Sequence, residues 1–157
     1  MLFRYCGATP LFGSEAYVSS GGDLGVTRRH IYAKLTAASA LTGLTVVEGI
    51  ADDDAGDTFV SFEYLPEDRP MTMGTGATYI FTRPRYKVVA IGKNLPFSSL
   101  DAYAVGIYGA LHNISSSAAD GTVSTLCVSP LQMEEPEDGG VRYRQSGWIV
   151  ESYTRSV

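Results

Sequence analysis

Between residues 99 and 113, Leu100, Tyr103, Ala104, Ile107 and Leu111 recur at helical spacing, with runs of strand-forming residues on both sides. A helix with one apolar stripe must bury it, and strands before and after it in sequence offer a sheet as the cover. This arrangement confines the chain to an α+β architecture. The 157 residues suffice for one domain with a sizeable core. The expectation is therefore a single α+β domain over residues 26–157, with an extended N-terminal arm over residues 1–25. Its fold is a curved, mostly antiparallel sheet of about five strands with two main helices packed on it.

The other elements follow from local pattern. Ile31, Leu35, Ala38 and Leu41 mark a first helix from Thr27, a reasonable N-cap, to Leu41, with Gly43 as its stop. Strands are expected over Thr45–Ile50, Thr58–Tyr64 and Ala77–Ile91, the last interrupted at Pro84, which cannot donate to a ladder. Leu65–Gly76 reads as a projecting hairpin loop. Ser98 and Asp101 stand at capping-box spacing before the second helix, Ser99–Asn113. Ser115–Gly121 reads as a loop. Two closing strands, Thr122–Gln132 and Val141–Tyr153, flank an acidic turn that ends in Gly139-Gly140, and Gly147 marks a bulge.

The back of the second helix carries Ala102, Gly106 and Gly109. Each interior glycine costs about 1 kcal/mol against alanine. Two readings stay open: a second packing partner, such as another subunit, or simple tolerance of exposed glycine. Residues 1–25 hold aromatic anchors (Phe3, Tyr5, Phe12, Tyr17) but no periodic pattern. Such a segment either lies across a surface or frays.

Charge and composition exclude several classes. The formal net charge is −5, and the 12 Lys and Arg are scattered, so a nucleic-acid grip is not expected. Ten tyrosines suit half-buried strands and wet interfaces. Cys6 and Cys127 are too few for a disulfide framework and read as two free thiols in a reducing cytoplasm. No apolar run is long enough to cross a membrane, and no signal peptide is evident.

Chemistry is hard to find. His30 and His112 are isolated. Asp52-Asp53-Asp54-Ala55-Gly56-Asp57 is the densest charge cluster, but its glycine falls one position early for a calcium loop, and Glu63 sits inside a strand. A solvated turn accounts for it. No nucleophile elbow, phosphate loop or dinucleotide fingerprint occurs. The expectation is a protein that assembles rather than catalyses, with no catalytic residue, metal or cofactor.

The stretch DTFVSFEY (Asp57–Tyr64) followed by a loop and YIFTRPRYKVVAIGKN is similar to the middle of the siphophage tail-terminator, or tail-completion, family. The helix SLDAYAVGIYGALHN resembles that family's second helix, which ends in a Leu-His pair as at Leu111-His112. The closing GTVSTLCVSPLQMEEPEDGGVRYRQSGWIVESYT resembles its final hairpin, with Tyr143-Arg144 before a glycine-bearing strand. The resemblance spans roughly residues 27–155 and rests on element order and local phrases.

It implies a structural virion protein of a long-tailed phage: a homo-oligomeric ring, usually a hexamer, that caps the tail tube and joins it to the head connector. Its partners would be further copies of itself, the tail tube protein and the connector or stopper protein. Genome DNA would cross the lumen without specific binding, no membrane would be involved, and the chain would pass through the host cytoplasm before joining the virion. On this reading Asp52, Asp53, Asp54 and Asp57 line the lumen. Glu67, Asp68, Arg69, Met71 and Met73, in the long loop, meet an adjacent ring. Ala102, Gly106, Gly109, Arg142 and Arg144 pack between subunits. The alternatives are a head-completion or stopper ring of the neck, a metal-dependent hydrolase using Asp52, Asp54 and His30, and a peptide-binding accessory domain.

Overall fold

The computed structural model describes residues 24–49, 55–66, 71–72, 80–82, 84–118 and 121–155. The chain forms α1 (Leu24–Ala37), a 3-10 turn (Ser39–Leu41), β1 (Thr45–Glu48), β2 (Thr58–Leu65), β3 (Met71–Thr72) and β4 (Ile80–Thr82). It continues through β5 (Arg85–Lys93), α2 (Phe97–Leu111), β6 (Ile114–Ala118), β7 (Gly121–Glu134) and β8 (Tyr143–Arg155). The result is a single α+β domain: two helices on a curled mixed sheet. The arm expected over 1–25 lies outside the described residues up to residue 23, and Leu24 and Gly25 already belong to α1.

The main ladder runs β1-β2-β5-β8-β7-β6. β1 pairs parallel with β2, and every other pairing is antiparallel. β3 and β4 prolong β2 and β5. Thr82 faces Thr154 and Arg85 faces Glu151 in one continuous register along β8, and the Pro84 carbonyl accepts from the Ser152 N–H at 2.9 Å. The strand expected to be broken at Pro84 therefore stays in line across the break. Because Met71 and Thr72 pair with β4, the expected loop Leu65–Gly76 contains a short strand.

Alternation in the strands divides the sheet into two faces. Val60, Phe62, Tyr86, Val88, Ala90, Cys127 and Val150 turn toward the helices and join Ile31, Leu35, Leu41, Leu100, Ile107 and Leu111 in the core. Each fully buried Val, Leu, Ile or Phe side chain among these contributes about 1.5–3 kcal/mol. The expected inner face of α2 is buried at Leu100, Ala104, Ile107 and Leu111, with Tyr103 half-buried beside it.

Several local expectations are corrected. Thr27 does not cap α1. The helix begins at Leu24, and the Thr27 side chain is buried with its hydroxyl 3.5 Å from Ser152 Oγ, so a tertiary contact takes the group that could have capped. The helix breaks at Ala38, whose backbone is extended, and the 3-10 turn carries the apolar stripe on to Leu41. Gly43, at φ +87°, then makes the stop. The Ser98/Asp101 capping box does not form. Pro96 stands at the N-cap, while Asp101 Oδ1 accepts from Ser146 Oγ and Gln132 Nε2, both at 2.7 Å.

A further correction concerns Gly147, which is no bulge. It lies in register between Val89 and Leu131, and the irregularity falls in β7 between Cys127 and Ser129. The glycine is needed for closeness: a Cβ there would sit 2.1 Å from the Val88 carbonyl oxygen. Ser115–Gly121, expected as a loop, is largely the β6–β7 hairpin, closed by the Ala118–Gly121 pair. The final turn is as its sequence implies. Asp138 and Val141 exchange both backbone hydrogen bonds around Gly139 (φ +57°) and Gly140 (φ +82°), a two-residue turn that needs positive φ twice.

Candidate functional site

The outward side of α2 is the first candidate surface. Ala102–Leu111 contains no charged residue. Leu100, Ala104, Ile107 and Leu111 account for the inner side, but the outer side is also apolar: Val105 is 71% exposed, with Ala102, Tyr108 and Gly109 beside it. A helix apolar on all sides normally has neighbours on all sides. Tyr108 stacks on His112, with ring centroids 4.2 Å apart, and tilts against Trp148 at 4.9 Å. Trp148 Nε1 donates to the Ala104 carbonyl at 3.0 Å, which pins β8 to the helix.

Among the expected packing residues, Gly106 is covered from within the chain. A Cβ on it would lie 2.9 Å from Ala40 Cβ and 3.1 Å from Leu41 Cδ2, so the close approach inferred from the sequence is made by the 3-10 turn rather than by another subunit. Ala102 and Gly109 are exposed, and nothing lies within 4 Å of a Cβ at Gly109. Arg142 pairs with Glu134 (3.0 Å) and Glu137 (2.8 Å). Arg144 pairs with Glu134 (2.8 Å), donates to the Leu95 carbonyl and lies over the Phe97 ring. Both arginines thus brace the final hairpin. The Arg144 hydrogen bond, with help from Arg142, holds the Glu134 carboxyl below its usual range.

Of the acidic turn, Asp52, Asp53 and Asp54 lie outside the described residues. Asp57 is exposed and stands 3.6 Å from Lys93 Nζ. Glu67, Asp68, Arg69 and Met73 of the long loop are likewise outside the described residues, and Met71 contributes to β3. His30, considered as a catalytic base, is buried with Nδ1 hydrogen-bonded to the Ser116 hydroxyl, which fastens α1 to β6. Burial, and secondarily the Lys34 charge, lower its pKa to about 4. Tyr86, also buried, is held well above the usual phenol value, with the Arg28 guanidinium acting the other way. Among the described residues, no group of three His, Cys, Asp or Glu could hold a metal ion. No described helix is long and apolar enough to cross a membrane.

The second surface is the sheet face opposite the helices, which the sequence did not single out. An open groove of about 540 Å³ runs there over Phe59, Ser61, Val89, Ile91 and Gln145, rimmed by Asp57, Glu63, Lys87, Lys93, Glu135 and Tyr143. Ser61 Oγ donates to the Gly49 carbonyl at 2.7 Å. Gln145 Nε2 donates to Glu135 Oε1 at 2.8 Å, but Gln145 Oε1 is buried without a donor. A stranded acceptor of this kind costs on the order of 1–3 kcal/mol. The alternation of β2, β5 and β8 carried the signal for this face; a buried glutamine among strands is legible only once its neighbours are known.

No protein-family model matches the chain, and no curated protein matches it.

Proposed function

We propose that the chain is a structural subunit of the neck of a long-tailed phage, a ring that closes the tail tube and joins it to the head connector, with DNA crossing the lumen. The observation that carries assembly is the charge-free outer side of α2, in a protein whose formal net charge is −5. Copies bearing the same net charge repel, and they meet at lowest cost where neither presents a charge. Ala102 and Gly109 leave room for a neighbour to approach, and Val105 and Tyr108 supply the apolar area it would cover. The resemblance in element order and local sequence narrows assembly to the tail terminator. No catalysis, cofactor or metal enters this reading.

Light scattering on the chain, alone and with a tail tube protein, tests the proposal. A ring mass, in either condition, is expected for the native chain and lost in Val105→Glu, whose exposed site leaves the fold intact. A chain that stays monomeric with the tube protein present sinks the proposal. So does a ring that Val105→Glu leaves unchanged, as far as α2 is concerned.

A further inference from the structure

The fold treats the two flanks of α2 differently. At helical spacing, Gly106 and Ala110 turn to one flank, and Asp101, Val105 and Tyr108 to the other. The first flank is closed from within the chain: the 3-10 turn lies against Gly106, and α1 packs beside it. The second flank overlooks β7, where Gln132 Nε2 donates to Asp101 Oδ1 at 2.7 Å. Pro130 and Gln132 stand on the helix side of β7, because their cross-strand partners Trp148 and Ser146 both bond to α2. Along this stretch β7 has no outer neighbour. β6 pairs only with residues 121–125, so among the described residues 126–134 pair with β8 alone. The flank of α2 and the bare half of β7 thus form the wall and floor of a ledge lined by Val105, Tyr108, Trp148, Pro130 and Gln132. Val105 is 71% exposed, and Tyr108, Pro130 and Gln132 are exposed with it. Neither residues 102–111 nor residues 126–133 include a charged side chain, and Asp101 is already bonded to Ser146 and Gln132.

We infer that this ledge receives a second copy of the chain, so that the contact between copies runs from α2 onto β7. The inference rests on the ring reading and deepens it. Size requires the extension: a stable contact takes about 20 residues a side and on the order of 800 Å² from each partner. Ala102, Val105, Tyr108 and Gly109 alone fall far short of that. The sign of the charge selects the occupant. A basic partner is drawn to an acidic chain where its carboxylates are exposed, whereas a copy with the same net charge of −5 is least repelled where there are none. Tyr108 and Trp148, at the back of the ledge, are of the residue types that anchor such contacts. Side chains make the contact rather than strand addition, because the irregularity between Cys127 and Ser129 and the missing N–H of Pro130 interrupt the free edge of β7. In a ring the contact is heterologous, so each copy offers its ledge to one neighbour and enters the other's through a different surface.

Trp148 is the single tryptophan, so it reads the ledge directly in the full-length chain. With 5-hydroxytryptophan incorporated in its place, it can be excited apart from the tryptophans of an added tail tube protein. Its quenching by acrylamide should fall about twofold where light scattering gives the ring mass, as a half-buried ring becomes covered. Pro130→Glu, an exposed substitution, should abolish the ring mass as Val105→Glu does, with the circular dichroism of the monomer unchanged. A native ring in which the quenching of Trp148 stays as in the monomer overturns the inference and leaves the ring reading standing. So does a Pro130→Glu chain that folds and still forms the ring. Should Pro130→Glu disturb the fold, the quenching in the native ring decides alone. A native chain that forms no ring, alone or with the tube protein, sinks the ring reading and this inference together.

Discussion

Gly106 and Gly109 sit three residues apart on α2 and have opposite reasons to be glycine. At Gly106 the 3-10 turn is so close that a Cβ must displace Ala40 or Leu41, whereas Gly109 faces open space. Gly106→Val should lower stability by about 1–3 kcal/mol through overpacking. Gly109→Ala should raise it by about 0.5–1 kcal/mol, because alanine is the better helix former and meets nothing. Urea denaturation of the two variants checks both signs, and equal effects would refute the distinction. The sequence showed that glycine on this helix was costly. It could not show which of the two was compensated from within, because the compensating Ala40 and Leu41 belong to a turn some sixty residues earlier.

At the scale of elements, His30 fastens α1 to β6 at one edge of the sheet, as the Arg28–Glu48 ion pair fastens it to β1 at the other. His30 lowers to about 4 from an ordinary 6.5, so between these values the unfolded chain binds a proton that the folded chain refuses. The contribution of His30 is therefore fully present above pH 6.5 and is lost as pH falls toward 4. His30→Asn, which keeps a hydrogen-bonding group toward Ser116, should flatten the fall in urea midpoint between pH 7 and 5. Parallel curves for native chain and variant would show that His30 does not drive it. The element this histidine reaches is one the sequence hid. Ile114–Ala118 reads ISSSA, with the composition of a loop, and becomes β6 because β7 offers it a partner. By contrast, α2 was legible because its inner stripe keeps helical spacing from Leu100 to Leu111, and β5 because strand-forming residues fill Tyr86–Ile91. The groove was hidden for a related reason: Gln145 is unremarkable in its own strand, and its burial depends on the register of β5 beside it.

For the molecule as a whole, the order of strands in space differs from their order in the chain. β8 lies between β5 and β7 and pairs with both along most of its length, although it follows every other strand in sequence. Until it arrives, β1-β2-β5, β3-β4 and β6-β7 are three separate fragments, each with an open edge, and α2 has only part of the surface it packs on. Most of the sheet is thus closed by contacts distant along the chain, the condition under which folding is slow and incomplete chains expose unpaired edges. Trp148, the single tryptophan, lies on β8 against Tyr108 and reports its insertion. In refolding, its fluorescence change should coincide with protection from hydrogen exchange of the β5 and β7 amides that face β8, in one late step. Protection of those amides well before the Trp148 signal would mean that β8 does not close the sheet last. Synthesis from the N-terminus therefore makes three unjoined pieces of sheet before the strand that joins them, and their edges stay open to wrong pairings until β8 has been made.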